Sequence, residues 1–321
     1  MLAIRIHETG GPERLVAEEV PIPEVGPGQV LVKIAATGVN FVEVYHRLGL
    51  YPRPRPFTPG GEFAGTVEKV GPGVGWLKPG DRVATAAGIG GYAQYALAGA
   101  EQLVLLPDSI SFEIAAGLLL QGLTAHYLAV STFPLKGGDT ALVHAAAGGV
   151  GLLLTQIAKR KGARVLGTVS TAEKAALARQ AGADHVILYT QGDFAEEVEK
   201  LVGKRAVDVV YDGVGQTTFA KGLTLLRPRG TLVLFGQSSG PVGPFDPQLL
   251  SRNGSLFLTR PTLGDYTLTR PELVSRTEEL FSWAAQGLSV RIDRSFPLAD
   301  AAAAHTALEG RATTGKVLLI P

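Results

Sequence analysis

HAAAGGVG, residues 144–151, stands between an apolar run, TALV (140–143), and a segment with helical spacing, LLLTQIAKRKG (152–162). An apolar strand that breaks at a glycine-bearing turn and reopens as a helix is the phosphate-binding arrangement of a dinucleotide-binding βαβ unit. Aligned to G-x-G-x-x-G, Ala146 replaces the first glycine, while Gly148 and Gly151 keep the second and third. Gly148 admits a pyrophosphate to the backbone, Gly151 lets helix and strand approach closely, and the helix N-terminus faces the anion. Taken alone, the motif also suits a strand-to-helix turn with no ligand. Its setting favours a nucleotide.

That setting is a series of apolar runs alternating with helix-length segments. TALVHA, ARVLGTV, DHVILY, VDVVYDG, GTLVLFG and SLFLT read as six strands, and LLLTQIAKRKG, TAEKAALARQAG, DFAEEVEKLVG and TTFAKGLTLL lie between the first five. Alternation of this kind predicts an α/β fold, a doubly wound parallel sheet over residues 123–259. Residues 1–122 read differently, as short strand-like runs such as QVLVKIAATGV and FAGTVEKVG, separated by turn signals including GPG, GPGVG and KPGD. This half is expected to form a partly closed β-barrel. Residues 260–321 carry two helical stretches and the terminal run KVLLIP, and are expected to complete the barrel domain. The nucleotide domain is then an insertion.

Composition narrows the chemistry. Lysine and arginine number 30 against 29 acidic residues, so no strong field draws nucleic acid or an anionic membrane, and neither partner is expected. No uninterrupted apolar run approaches the length of a membrane span, and Met1 leads into an alternating pattern, from which a cytoplasmic protein is expected. Cysteine is absent, which removes disulfides, thiolate nucleophiles and every cysteine-bearing zinc site. The six histidines show no metal-ligand spacing.

The second strand tells which dinucleotide is held. An acid at its tip bonds the adenosine ribose of NAD, yet ARVLGTV ends in Ser170-Thr171-Ala172-Glu173-Lys174. Small hydroxyl residues leave room for a 2′-phosphate, and Lys174 supplies positive charge, so NADPH is the expected cofactor. Ser170 and Glu173 also fit a capping box, and Lys174 also fits an ordinary solvated helix position.

At this point the chain resembles the zinc-independent quinone oxidoreductases, the zeta-crystallin-like branch of the medium-chain dehydrogenase/reductase superfamily. The likeness is carried in order by GVNFVEVYHRLGLYP (38–52), PGGEFAGTVEKVG (59–71), KPGDRV (78–83), HAAAGGVG, YDGVG (211–215) and RATTGKVLLIP (311–321). It implies a GroES-like catalytic domain beside the nucleotide domain. Zinc-dependent members of the superfamily carry cysteine where this chain has Asn40, and Gly-His-Glu where it has Gly60-Gly61-Glu62. Glu62 is then expected to be a structural acid. Alcohol oxidation needs a Lewis acid, whereas a quinone or an enone needs only alignment and a proton source. The resemblance therefore implies NADPH-dependent reduction of a small-molecule quinone without a metal. Reduction of the double bond of an enone or 2-alkenal is the alternative within the class, and a non-catalytic NADPH-binding or nucleic-acid-binding protein is the alternative outside it.

The resemblance also implies residue roles. Asn40, Phe41 and Tyr45 are expected at the nicotinamide, in a cleft between the domains, with Tyr127 nearby. Tyr45 and Tyr51 bracket the substrate side, where a tyrosine hydroxyl orients the acceptor or gives it a proton, although buried tyrosines are as often core residues. Asn40, Tyr45 and Tyr51 are thus the catalytic candidates. Gly148, Gly149, Val150 and Gly151 are assigned to the pyrophosphate, Ser170 and Lys174 to the 2′-phosphate, and Tyr189 to the adenosine. Gly213, Phe235, Gly236 and Ser238 end the fourth and fifth strands, Thr259, Arg260 and Pro261 follow the sixth, and Arg311 reaches the cofactor from the returning tail. Relatives often carry serine at the position of Gly213. The sixth strand would leave an open sheet edge, so a homodimer pairing this strand with its copy is expected.

Overall fold

The computed structural model describes residues 1–321 and divides into two compact units, Met1–Leu123 with Thr267–Pro321, and Thr124–Tyr266. In the first unit β1 (Leu2–Arg5) pairs with β2 (Val16–Glu19). The main sheet uses β3 (Gln29–Val39), β4 (Phe63–Val70), β5 (Arg82–Thr85), β6 (Tyr95–Gly99) and β7 (Val104–Leu105). Helix α1 (Phe41–Arg47) follows β3, and α2 (Phe112–Tyr127) runs across the unit boundary.

The second unit alternates as the sequence reading expects: β8 (Thr140–Val143), α3 (Gly149–Arg160), β9 (Arg164–Val169), α4 (Ala172–Gln180), β10 (His185–Leu188), α5 (Phe194–Val202), β11 (Val207–Asp212), α6 (Phe219–Leu225) and β12 (Leu226–Leu234). A short α7 (Gln248–Arg252) precedes β13 (Phe257–Thr259), and α8 (Leu263–Tyr266) ends the unit. All neighbours in this sheet pair in parallel, in the order β10-β9-β8-β11-β12-β13. The order reverses on either side of β8, and ligands bind at the carboxyl ends of strands where such a reversal occurs. Leu142, Leu166, Val210, Leu223 and Leu232 pack together in the core of this unit.

The tail returns through α9 (Arg270–Ala285), β14 (Ile292–Pro297), α10 (Ala301–Glu309) and β15 (Lys316–Ile320). β15 pairs antiparallel with β3, placing the chain's end inside the first unit's sheet, whose order is β14-β15-β3-β4-β5-β7 with β6 also on β3. Buried polar ties reinforce this return. Arg47 binds Glu309 at 2.5 Å, the Tyr92 hydroxyl meets His305 Nε2 at 3.1 Å, and Lys316 pairs with Glu62.

One helix is long and apolar. Phe112–Thr132 is long and apolar enough to cross a membrane by length and composition, although Glu113, Gln121 and His126 interrupt its apolar run, as the sequence reading expects. Its window is 72% buried within the protein, and it serves as a core helix.

Candidate functional site

In the second unit, the turn after β8 is built by close approach. Ala145 adopts φ +52°, and its carbonyl accepts the Gly148 N–H at 2.8 Å. A Cβ at Gly151 would lie 2.3 Å from that same carbonyl oxygen, so only glycine allows α3 to start here. A Cβ at Gly148 would lie 3.2 Å from the same carbonyl oxygen, a tight contact but a much milder one than at Gly151. Gly148 is the N-cap of α3 and offers no side-chain acceptor, which leaves the N–H groups of Gly149 and Val150 for an external anion. The turn fits a pyrophosphate.

Beside the turn, His144 is buried and shares a 2.9 Å hydrogen bond with the Thr168 hydroxyl. Burial holds its pKa below the usual imidazole value, with nearby Asp212 acting against that shift. His144 is therefore a neutral packing residue beneath the turn.

At the tip of β9 the helix cap differs from the expected capping box. Thr171, not Ser170, caps α4, accepting the Lys174 N–H at 3.3 Å. The Ser170 carbonyl accepts the Thr190 hydroxyl at 2.8 Å. Lys174 is half-buried and sits in the first turn of α4. Tyr189, at the end of β10, is 40% exposed.

The ends of β11 and β12 approach closely. A Cβ at Gly236 would lie 2.6 Å from the Gly213 carbonyl oxygen, and one at Gly213 would lie 2.9 Å from the Phe235 ring. The ring fills the space a larger residue would need, which accounts for glycine at a position where serine is common. Ser238 donates its N–H to the Gly213 carbonyl at 3.2 Å. Thr259 ends β13, with Arg260 exposed and Pro261 buried behind it. Tyr127 stacks on Tyr266, ring centroids 4.2 Å apart, and burial raises its hydroxyl above the usual tyrosine range.

In the first unit, α1 carries Phe41 and Tyr45, and Tyr51 follows just beyond it. The Tyr45 ring lies 6.2 Å from Phe41 and 5.3 Å, edge-on, from Tyr51. Tyr45 is buried, whereas Tyr51 is 37% exposed. Asn40 sits at the head of α1, and its side chain is engaged on both sides. Lys316 Nζ donates to its Oδ1 at 2.7 Å, while its Nδ2 donates to Glu62 Oε2 at 3.0 Å. Glu62 also accepts the Leu120 N–H at 2.8 Å. Sequence reasoning missed Lys316 and Glu43. Glu43 accepts the N–H groups of Asn40 (2.9 Å) and Gly61 (3.1 Å), and burial pushes its pKa up to about 7. The spacing N-x-x-E at 40–43 was a legible cap signal; the Lys316 contact, from the far end of the chain, had none.

Arg311 is exposed and left-handed, φ +56°, where the chain leaves α10.

Comparison with known proteins follows the same division. Residues 26–108 match the alcohol dehydrogenase GroES-like domain family, and residues 149–279 the zinc-binding dehydrogenase family. A quinone oxidoreductase of Pseudomonas aeruginosa is 47% identical over 99% of both chains. A 2-haloacrylate reductase of a Burkholderia species is 43% identical over 100% of this chain and 99% of its own. The crystal structure of Escherichia coli quinone oxidoreductase complexed with NADPH superposes with a TM-score of 0.97 at 44% identity, covering both chains fully. The chain is a member of the quinone oxidoreductase family within the medium-chain dehydrogenase/reductase superfamily.

Proposed function

We propose that this protein reduces small-molecule quinones with NADPH and without a metal. The observation that carries the proposal is the buried Lys316 ammonium bonded to both Glu62 and Asn40. Where zinc-dependent members of the superfamily hold metal ligands, this chain has an amide, a glycine and a carboxylate already neutralised by lysine. With no Lewis acid to polarise an alcohol, the reaction falls to an acceptor that is already electrophilic.

NADPH, when bound, supplies the hydride. Gly148, Gly149, Val150 and Gly151 hold the pyrophosphate at the head of α3, and Ser170 with Lys174 recognises the 2′-phosphate. Tyr189 flanks the adenosine. Gly213, Phe235, Gly236, Ser238, Thr259, Arg260 and Pro261 contribute from the carboxyl ends of the later strands, and Tyr127 contributes from α2. Asn40, Phe41, Tyr45 and Arg311 contribute from the first unit. Tyr45 and Tyr51 orient the acceptor oxygen, and one of their hydroxyls gives the proton that completes the hydroquinone. Asn40 acts by position, because its amide is committed to Lys316 and Glu62 and fixes the start of α1.

Reduction of an activated carbon-carbon double bond is the second reading, favoured by the similarity to a 2-haloacrylate reductase. A nucleic-acid-binding role is disfavoured by the net charge of +1. The functional unit is a homodimer joined through β13, whose Phe257 is 62% exposed at the sheet edge. The test of function is NADPH consumption with an ortho-quinone, a para-quinone and a 2-alkenal in parallel. Quinone turnover supports the proposal, and alkenal turnover alone transfers the protein to the second reading.

A further inference from the structure

The proline-stiffened segment YPRPRPF, residues 51–57, borders a concavity of about 350 Å3 on the first unit. Leu48, Pro52 and Phe57 give its lining apolar surface, and Thr9, His46, Arg53 and Arg55 polar surface. Concavities of this size that join apolar surface to a few charged groups suit small amphiphilic molecules.

The arginines carry the argument. His46 uses Nδ1 to donate to the Tyr51 carbonyl at 2.9 Å, which fixes the ring and leaves Nε2 as an acceptor. Arg53 Nε donates to that Nε2 at 3.3 Å. The guanidinium is thereby oriented through its inner nitrogen, and its two outer nitrogens remain available. Burial and the neighbouring Arg53 keep His46 below its ordinary pKa, against the Tyr51 carbonyl, so the ring stays a neutral acceptor. Neither Arg53 nor Arg55 has a carboxylate partner. Glu8 and Glu13, earlier in the same unit, are both engaged by Arg14. One oriented cation, Arg53, with a second, Arg55, beside it, both without counter-ions and next to apolar side chains, form a receptor for a ligand that is aromatic or conjugated at one end and anionic at the other. Proline at 52, 54 and 56 limits the backbone freedom that binding would otherwise remove.

We infer that this concavity takes the carboxylate or sulfonate of an anionic acceptor, so that the preferred substrates are quinones or conjugated enones bearing a negative charge. The inference rests on the reductase reading, because the site adjoins Tyr51. That ring packs edge-on against both His46, at 5.9 Å, and Tyr45, at 5.3 Å. His46 lines the concavity and packs against Tyr51, so a substrate anchored on Arg53 lies beside the tyrosine pair.

The experiment compares 1,2-naphthoquinone with 1,2-naphthoquinone-4-sulfonate in the wild-type enzyme and in the R53A/R55A variant. Because the sulfonate alters the intrinsic reactivity of the quinone, the quantity read is the variant-to-wild-type ratio for each acceptor. The expected result is a rise in KM of at least tenfold for the sulfonate and less than twofold for the neutral quinone, with kcat for the neutral quinone unchanged. R53K should recover part of the loss. Calorimetric titration with 2-naphthalenesulfonate, which cannot be reduced, should show binding to the wild type that added salt weakens and the variant loses. Equal effects on both quinones, or no binding of the naphthalenesulfonate, would overturn the inference. A raised KM for NADPH in place of the sulfonate effect would assign the arginines to the cofactor and also overturn it. Failure to reduce either quinone would instead count against the reductase reading, while the titration would still report on the anion site.

Discussion

Lys316 and Glu62, each fully buried and 254 residues apart in sequence, form an ion pair whose remaining hydrogen bonds fix Asn40 at the head of α1. Charges without solvent are tolerated only when paired and hydrogen-bonded, and this pair meets both conditions within the first unit. It joins the end of the chain to the strand that follows the Gly-Gly-Glu turn. It also fixes the start of the helix that carries Tyr45.

Breaking the pair should cost far more than replacing it. K316M leaves a buried carboxylate uncompensated and is expected to destabilise the protein by about 3 to 5 kcal/mol. The K316M/E62L double variant is expected to be clearly more stable than the single one. Urea unfolding at fixed protein concentration measures both, and equal stabilities would show that the pair is not coupled.

Two glycines of the phosphate turn should separate packing from binding. G151A forces a Cβ to 2.3 Å from the Ala145 carbonyl oxygen, so a fall in Tm is expected together with weaker NADPH binding. G148A meets the same carbonyl oxygen at 3.2 Å, a milder clash, and is expected to lower Tm less than G151A while weakening NADPH binding about tenfold, or ~1.4 kcal/mol. Calorimetry and cofactor titration on both variants test the distinction.

Coenzyme choice should depend on Lys174. K174A is expected to raise KM for NADPH about tenfold or more and to leave KM for NADH nearly unchanged, since only the former carries the 2′-phosphate. Equal changes for both coenzymes would remove Lys174 from that role.

Glu43 should impose a pH dependence on stability. Its folded pKa, about 7, lies above the ordinary 4.5, so the native state binds the proton more tightly than the unfolded chain. The stability of the native state relative to the unfolded one therefore falls as pH rises from about 4.5 to about 7 and levels off above, a loss of about 3 kcal/mol. His305, lowered by burial to about 3, acts oppositely, its stabilising effect being lost as pH falls below 6.5. The wild-type curve mixes the two, so the measurement is the difference between wild type and E43Q from pH 4.5 to 8. A flat difference would contradict the assignment.

The dimer proposal turns on Phe257. A glutamate there places a charge on the exposed edge of β13, and F257E is expected to run as a monomer in size-exclusion chromatography with light scattering. A monomeric wild type would contradict the proposal outright.

The nucleotide unit was the legible part of the sequence, because its strands are short apolar runs alternating with segments of helical length. Helix α2 was not legible, since Phe112–Tyr127 is apolar on nearly every side and shows no helical period. Helix α1 was hidden by its seven-residue length, and β14 by polar residues on a half-exposed edge. Local site features such as the glycine turn could be read directly. Lys316 meeting Glu62 could not, because the pairings of β15 with β3 and of β3 with β4 together bring them into contact.

The most direct measurement is the stoichiometry of NADPH oxidation by an ortho-quinone under anaerobic conditions, repeated with NADH. One NADPH consumed for each hydroquinone formed, with kcat/KM for NADH at least tenfold lower, is the result this account predicts. Tight NADPH binding without oxidation, whatever the quinone supplied, would contradict it.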